Sequence, residues 1–83
     1  INTKYDKEAS IASGDILKVL RNPSLAIVFY NKILRLEPNN FDLLVKIGEC
    51  YQEIGNTKLA ADNFNKALSV SSNSDAALNN LEK

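Results

Sequence analysis

Glu49 and Glu53 stand four residues apart, the spacing that sets two carboxylates one turn apart on a single helix face. Paired carboxylates can do acid–base work or hold a cation, but only beside a base, a metal ligand or a pocket. Histidine is absent, which removes the commonest general base and the commonest zinc ligand together. Cys50 is the one cysteine, so no internal disulfide can form. Its place beside an apolar helix stripe reads as a small buried hydrophobe rather than a redox centre. Gly14, Gly48 and Gly55 lack the spacing of a phosphate-cradling loop and read as packing and capping residues. Lys32 and Lys66 read as solubilising charges on an outer face. The residue types hold no catalytic set, so the expectation is a chain that is not an enzyme and needs no cofactor or metal.

The elements that carry these side chains must fit in 83 residues, which is one domain spanning 1–83. The chain is 45% hydrophobic and 24% charged, enough apolar area to offset chain entropy, so disorder is not expected. A formal net charge of +0 gives no field of one sign over the molecule, so nucleic acid is not an expected partner. The longest apolar run, Leu25 to Tyr30, is far short of the roughly 20 residues of a membrane span, so no direct membrane insertion is expected. The chain opens on Ile1 and is read as an excised fragment or a processed product.

A shift of 34 residues overlays the sequence on itself. Gly14 meets Gly48, Asn22 meets Asn56, Leu25-Ala26 meets Leu59-Ala60, Asn31-Lys32 meets Asn65-Lys66, Leu34 meets Leu68 and Asn39 meets Asn73. Each unit reads as two helices. Asn40 caps a helix whose Leu44, Ile47, Tyr51 and Ile54 recur at spacings of three and four. Gly55 then takes the left-handed C-terminal position, and Asn56 opens a helix with a Leu59, Ala60, Phe64, Ala67 and Leu68 stripe. In the first unit Asn22-Pro23 starts a helix, Leu25, Ala26, Tyr30, Ile33 and Leu34 form its stripe, and Pro38 ends it. A glycine inside a helix costs roughly 1 kcal/mol against alanine. Its return at Gly14 and Gly48 points to a close helix crossing, with Tyr51 and Phe64 filling the space beside it.

The run Leu44-x-x-Ile47-Gly48-x-x-Tyr51, followed by Gly55, Ala60, Phe64 and Ala67-Leu68, resembles the tetratricopeptide repeat, and the resemblance covers nearly the whole chain. It implies an all-α fold of about five helices, a right-handed superhelical stack of antiparallel helix pairs. Residues 7–40 would be a degenerate first repeat, 41–74 a full second repeat and 75–83 the start of a capping helix. The first repeat departs from the pattern at Ser10 and Ser13, which stand where Leu44 and Ile47 stand in the second. Its opening helix is therefore expected to pack through Tyr5, Ala9, Ala12, Ile16 and Leu20.

The resemblance implies a protein-binding scaffold or adaptor with a concave groove lined by the first helix of each repeat. Once the packing stripe is removed, the groove is expected to present Glu8, Ile11, Ala12, Asp15, Lys18 and Val19 from the first helix. The third helix is expected to add Asp42, Val45, Lys46, Glu49, Gln52 and Glu53, and the terminal one Asn79, Asn80 and Lys83. Acidic residues prevail on the first two, with Ile11 and Val45 between them, so a basic peptide or helix with apolar anchors is the expected ligand, not a small-molecule substrate. The carboxylate clamp of co-chaperone repeats has Ile11, Asp15, Lys46, Ala76 and Asn80 at its five positions here, and Asp15 would repel a carboxylate. That function is rejected. Val28 and Phe29 lie where the second repeat has Asp62 and Asn63, a possible outer contact patch that a neighbouring helix or a second copy would cover, giving a homo-oligomer. A solenoid spacer and an accessory domain of an enzyme remain as further readings. Fewer than three repeats is marginal for a solenoid on its own.

Overall fold

The computed structural model describes the backbone of residues 3–82 and the side-chain surroundings of residues 6–72. The chain forms four helices, α1 (Thr3–Val19), α2 (Pro23–Leu34), α3 (Phe41–Ile54) and α4 (Thr57–Glu82), and no strand is present among the described residues. Each helix packs on the one before it: α1 on α2, α2 on α3 and α3 on α4.

Asparagines start the last three helices. The side-chain oxygens of Asn22, Asn40 and Asn56 accept from the backbone N–H of Leu25, Leu43 and Leu59 at 3.4, 3.1 and 3.2 Å. Each satisfies one of the donors that a helix start leaves without a partner. Pro23 follows Asn22 at the first helical position, where it has no N–H to lose.

The turns inside both hairpins close in the same way. After α3, the N–H of Asn56 reaches the carbonyl of Tyr51 and that of Gly55 reaches Gln52, with Gly55 at φ 94°. After α1, Asn22 reaches Leu17 and Arg21 reaches Lys18, with Arg21 at φ 65°. Both are left-handed C-terminal caps of one geometry, but the first places a side chain where glycine is favoured. Arg21→Gly is therefore expected to stabilise the chain by about 1 kcal/mol, the order of the left-handed penalty it relieves. In thermal unfolding that is a rise of roughly 4–8 °C, and an unchanged or lower midpoint would contradict it.

The core lies between α2 and α3. Ala26, Ile27, Tyr30 and Ile33 of α2 meet Leu43, Ile47 and Cys50 of α3, all at most 7% exposed. Leu44 of α3 and Ala60 and Ala67 of α4 are buried beside them. α1 adds the half-buried Ile11 and Leu17 to this cluster. The expected alternative stripe of α1 is not its packing face: Ala9 and Ala12 are exposed, Ile16 is 60% exposed and Leu20 68%. Ser10 and Ser13 are half-buried instead, on the same register that Leu44 and Ile47 use in α3. The 34-residue register thus prevails over the apolar content of the alternative face. Tyr5 lies outside the described side chains.

Four helices are present among the described residues, close to the expected five, and α4 runs without a break to Glu82 through the segment read as the start of a capping helix. The cause lies one repeat back. Pro38 stops α2 and forces the turn, and its counterpart 34 residues on is Ser72, which keeps its backbone N–H and can stay helical. No helix among the described residues is long and apolar enough to cross a membrane.

Candidate functional site

The two antiparallel pairs set α1 and α3 side by side, and their shared face carries the polar side chains that the sequence singles out. At its centre is Asp15. Its carboxylate accepts a hydrogen bond from the Tyr30 hydroxyl at 2.6 Å and bonds from the Lys46 ammonium at 2.9 and 3.2 Å. The Lys46 ammonium also sits 5.7 Å from the centre of the Tyr30 ring. One turn along α1, Lys18 pairs with Glu49 of α3. At the other end of α1, Lys7 pairs with Glu37 at 2.8 Å, and Glu37 also accepts from the side-chain amide of Asn40 at 3.0 Å.

All three ion pairs found among the described residues therefore tie α1 to the rest of the chain. This complements the core, to which α1 adds the half-buried Ile11 and Leu17. Both α1–α3 pairs join residues 31 positions apart.

The electrostatics follow from this geometry. Burial pushes the Asp15 carboxyl up, but the Tyr30 hydrogen bond and the Lys46 ammonium outweigh it and hold the group below its usual value near 3.8. Burial and the bond to Asp15 push the Tyr30 phenol up, so it stays a donor at neutral pH. The hydrogen bond and charge of Lys7 hold Glu37 low. Burial likewise pushes the Cys50 thiol up, and at 0% exposed it is a small core side chain rather than a nucleophile.

A depressed carboxylate adds stability that is complete above its unfolded pKa, about 3.9 for aspartate, and is lost as pH falls through the folded value. Acidification below pH 4 is thus expected to loosen α1 through Asp15 and Glu37. Asp15→Asn cannot titrate, so its loss of melting temperature from pH 6 to pH 2.5 should be smaller than that of the unmodified chain. Equal losses in the two would contradict the assignment.

The expected groove residues distribute as follows. Asp15, Lys18, Lys46 and Glu49 are brought together, but in pairs that neutralise one another. Val45 is half-buried beside Lys46, Ile11 is half-buried against the core, and Val19 is 80% exposed. Glu8, Asp42, Gln52 and Glu53 are exposed. Asn79, Asn80 and Lys83 lie outside the described side chains, as does Ala76 of the clamp positions. Of the remaining clamp positions, Lys46 is the one cation, and it is held by Asp15.

Sequence reasoning missed the ion pairs, whose signal is the shared 31-residue separation of opposite charges. On the outer side, Val28 is 51% exposed while Phe29 is half-buried with the Lys32 ammonium 5.2 Å from its ring. A cleft of about 310 Å³ between α2 and α4 is lined by Asn31, Leu34, Arg35, Pro38 and Lys66.

No curated protein matches the chain. Residues 29–61, from within α2 through all of α3 to the opening turns of α4, match the family model described as tetratricopeptide repeat.

Proposed function

Residues 29–61 match the tetratricopeptide-repeat family model, and on that likeness we propose that the chain is a tetratricopeptide-repeat module that binds an extended peptide or a helix of another protein on the face shared by α1 and α3. Tetratricopeptide repeats generally mediate protein–protein interactions and are typically non-catalytic scaffolds. The observation that supports this face is its fixed frame. The Asp15–Lys46 and Lys18–Glu49 pairs hold two helices in one register, and such a preorganised surface loses little entropy when a ligand lies across it.

The ligand is a basic segment with one or two apolar anchors. Asp15 and Glu49 are answered by Lys46 and Lys18, which leaves Asp6, Glu8, Asp42 and Glu53 as the exposed carboxylates of the two helices outside those pairs. Ile11 and Val45 supply the apolar contact. Titration of the chain with basic and with acidic peptides of equal length, followed by amide shifts, tests this. Binding of the basic peptide should be saturable, map to α1 and α3, and be lost in Val45→Arg. Preference for the acidic peptide, or shifts confined to α2 and α4, would sink the reading.

A second reading is self-association through the outer helix, with Val28 at 51% exposed and Leu25 at 42% as contacts. Val28→Asp together with Phe29→Asn would then lower the mass in solution.

A further inference from the structure

Lys7, Lys18 and Lys46, the cations of α1 and α3 whose side chains are described, each meet a carboxylate. The cations of the other two helices do not. Lys32, Lys58 and Lys66, and Arg35 directly after α2, enter no ion pair among the described residues. The sequence accounts for the difference. From Asn22 to Leu36 no acidic residue stands, and from Asn63 to Ser72 Lys66 is the one charged residue. The cleft of about 310 Å³ between α2 and α4 is bounded by these two segments together with Pro38.

The walls of the cleft suit a carboxylate beside an apolar group. Arg35 and Lys66 bring a cation from each side, and no acid lines the space between them. The guanidinium is a planar fork that matches a carboxylate with two parallel hydrogen bonds. Asn31 adds an amide that can donate to an oxygen. Leu34, packed against the α2–α3 core, and Pro38, with its fixed backbone, form the apolar wall. The charge pair is not a by-product of the repeat, because 34 residues after Arg35 stands Ser69.

We infer that this cleft docks an acidic segment of a partner protein, with one Glu or Asp side chain between Arg35 and Lys66 and an apolar neighbour against Leu34 and Pro38. The charges select this occupant. A basic or neutral segment leaves both cations unanswered. An extended polyanion such as nucleic acid meets Asp62, one turn before Lys66, and Glu37, two residues after Arg35. A single acidic side chain needs only the cleft itself. The contact goes beyond the α1–α3 reading, since it uses the other pair of helices. It is the weaker of the two, because both of its cations are exposed, so a basic peptide stays the preferred ligand of the chain as a whole.

A capped Leu-Glu-Leu-Glu peptide tests it, with Leu-Gln-Leu-Gln as the neutral control and amide shifts followed at constant ionic strength. The acidic peptide should bind saturably and shift the Asn31 side-chain amide and the backbone amides around Arg35 and Lys66. The neutral peptide should bind about fivefold more weakly, as should the acidic one to Arg35→Ser or to Lys66→Gln. Lys58→Gln, about two turns along α4 from Lys66, should leave binding unchanged. So should Val45→Arg, which blocks the α1–α3 face and so separates failure of that reading from failure of this one. Circular dichroism checks that each variant is folded. The inference falls if neither peptide binds, if the two bind equally, if Lys58→Gln weakens binding as much as Lys66→Gln, or if the shifts lie on α1 and α3. Displacement of the peptide by inorganic phosphate at the same ionic strength also overturns it and assigns the cleft to phosphate esters.

Discussion

Replacing Tyr30 by alanine is expected to leave most of the chain unfolded at 25 °C. Tyr30 is 0% exposed, lies in the α2–α3 cluster, and reaches α1 through its ring against Gly14 and its hydroxyl on Asp15. Three of the four helices meet on this one side chain. Truncation of a buried aromatic residue to alanine costs about 3–5 kcal/mol, and a domain this small holds roughly 3–5 kcal/mol in total. Circular dichroism should lose most of its helical signal. Tyr30→Phe keeps the ring and gives up only the bond to Asp15, at about 1 kcal/mol, so it should stay folded with a lower midpoint. A Tyr30→Ala chain that melts cooperatively near the original temperature would refute this account of the core.

The second large effect is an asymmetry between two glycines. A Cβ added at Gly14 would lie 2.5, 2.8 and 2.9 Å from three carbons of the Tyr30 ring, and one added at Gly48 would lie 2.7, 2.8 and 3.0 Å from the Phe64 ring. The two clashes are close in geometry but differ in what can yield. Tyr30 is enclosed and held by Asp15, whereas Phe64 is half-buried and has no polar tether. Overpacking costs roughly 1–3 kcal/mol, against which alanine regains about 1 kcal/mol of helix propensity. Gly14→Ala should therefore destabilise by about 1–2 kcal/mol, while Gly48→Ala should fall near neutral as the ring swings outward. Denaturant unfolding of both variants decides it, and an equal or larger cost at Gly48 would contradict the argument.

The glycine pair also marks what is legible in the sequence. A costly residue recurring at one interval must serve a close approach, and the rings of Tyr30 and Phe64 stand there. The caps at Asn22, Asn40, Asn56 and Gly55 were legible for the same reason: each acts within a few residues of itself. The charge pairs were not, because each joins two different helices across 31 residues, which no single helix pattern encodes. The packing face of α1 was misjudged because Ala9 and Ile16 are more apolar than Ser10 and Ser13, yet the inherited register sets which side faces α2. The continuation of α4 turned on Ser72, where the absence of a proline is a weaker signal than its presence at Pro38. That Asp15, Lys18, Lys46 and Glu49 lie on α1 and α3 was legible, while their pairing with one another required the fold.

That each helix packs on its predecessor also bears on how fast and in what order the chain folds. Contacts close in sequence need only short loops to be closed, which places such chains among those that fold in microseconds to milliseconds. The α2–α3 interface holds the buried apolar cluster and is the expected nucleus. α1 is held by Ile11, Leu17 and the contact of Gly14 with the Tyr30 ring together with three partly exposed ion pairs, and the ion pairs are the share that salt screens. Its amides should exchange with solvent sooner than those of α3, and sooner still as salt is raised.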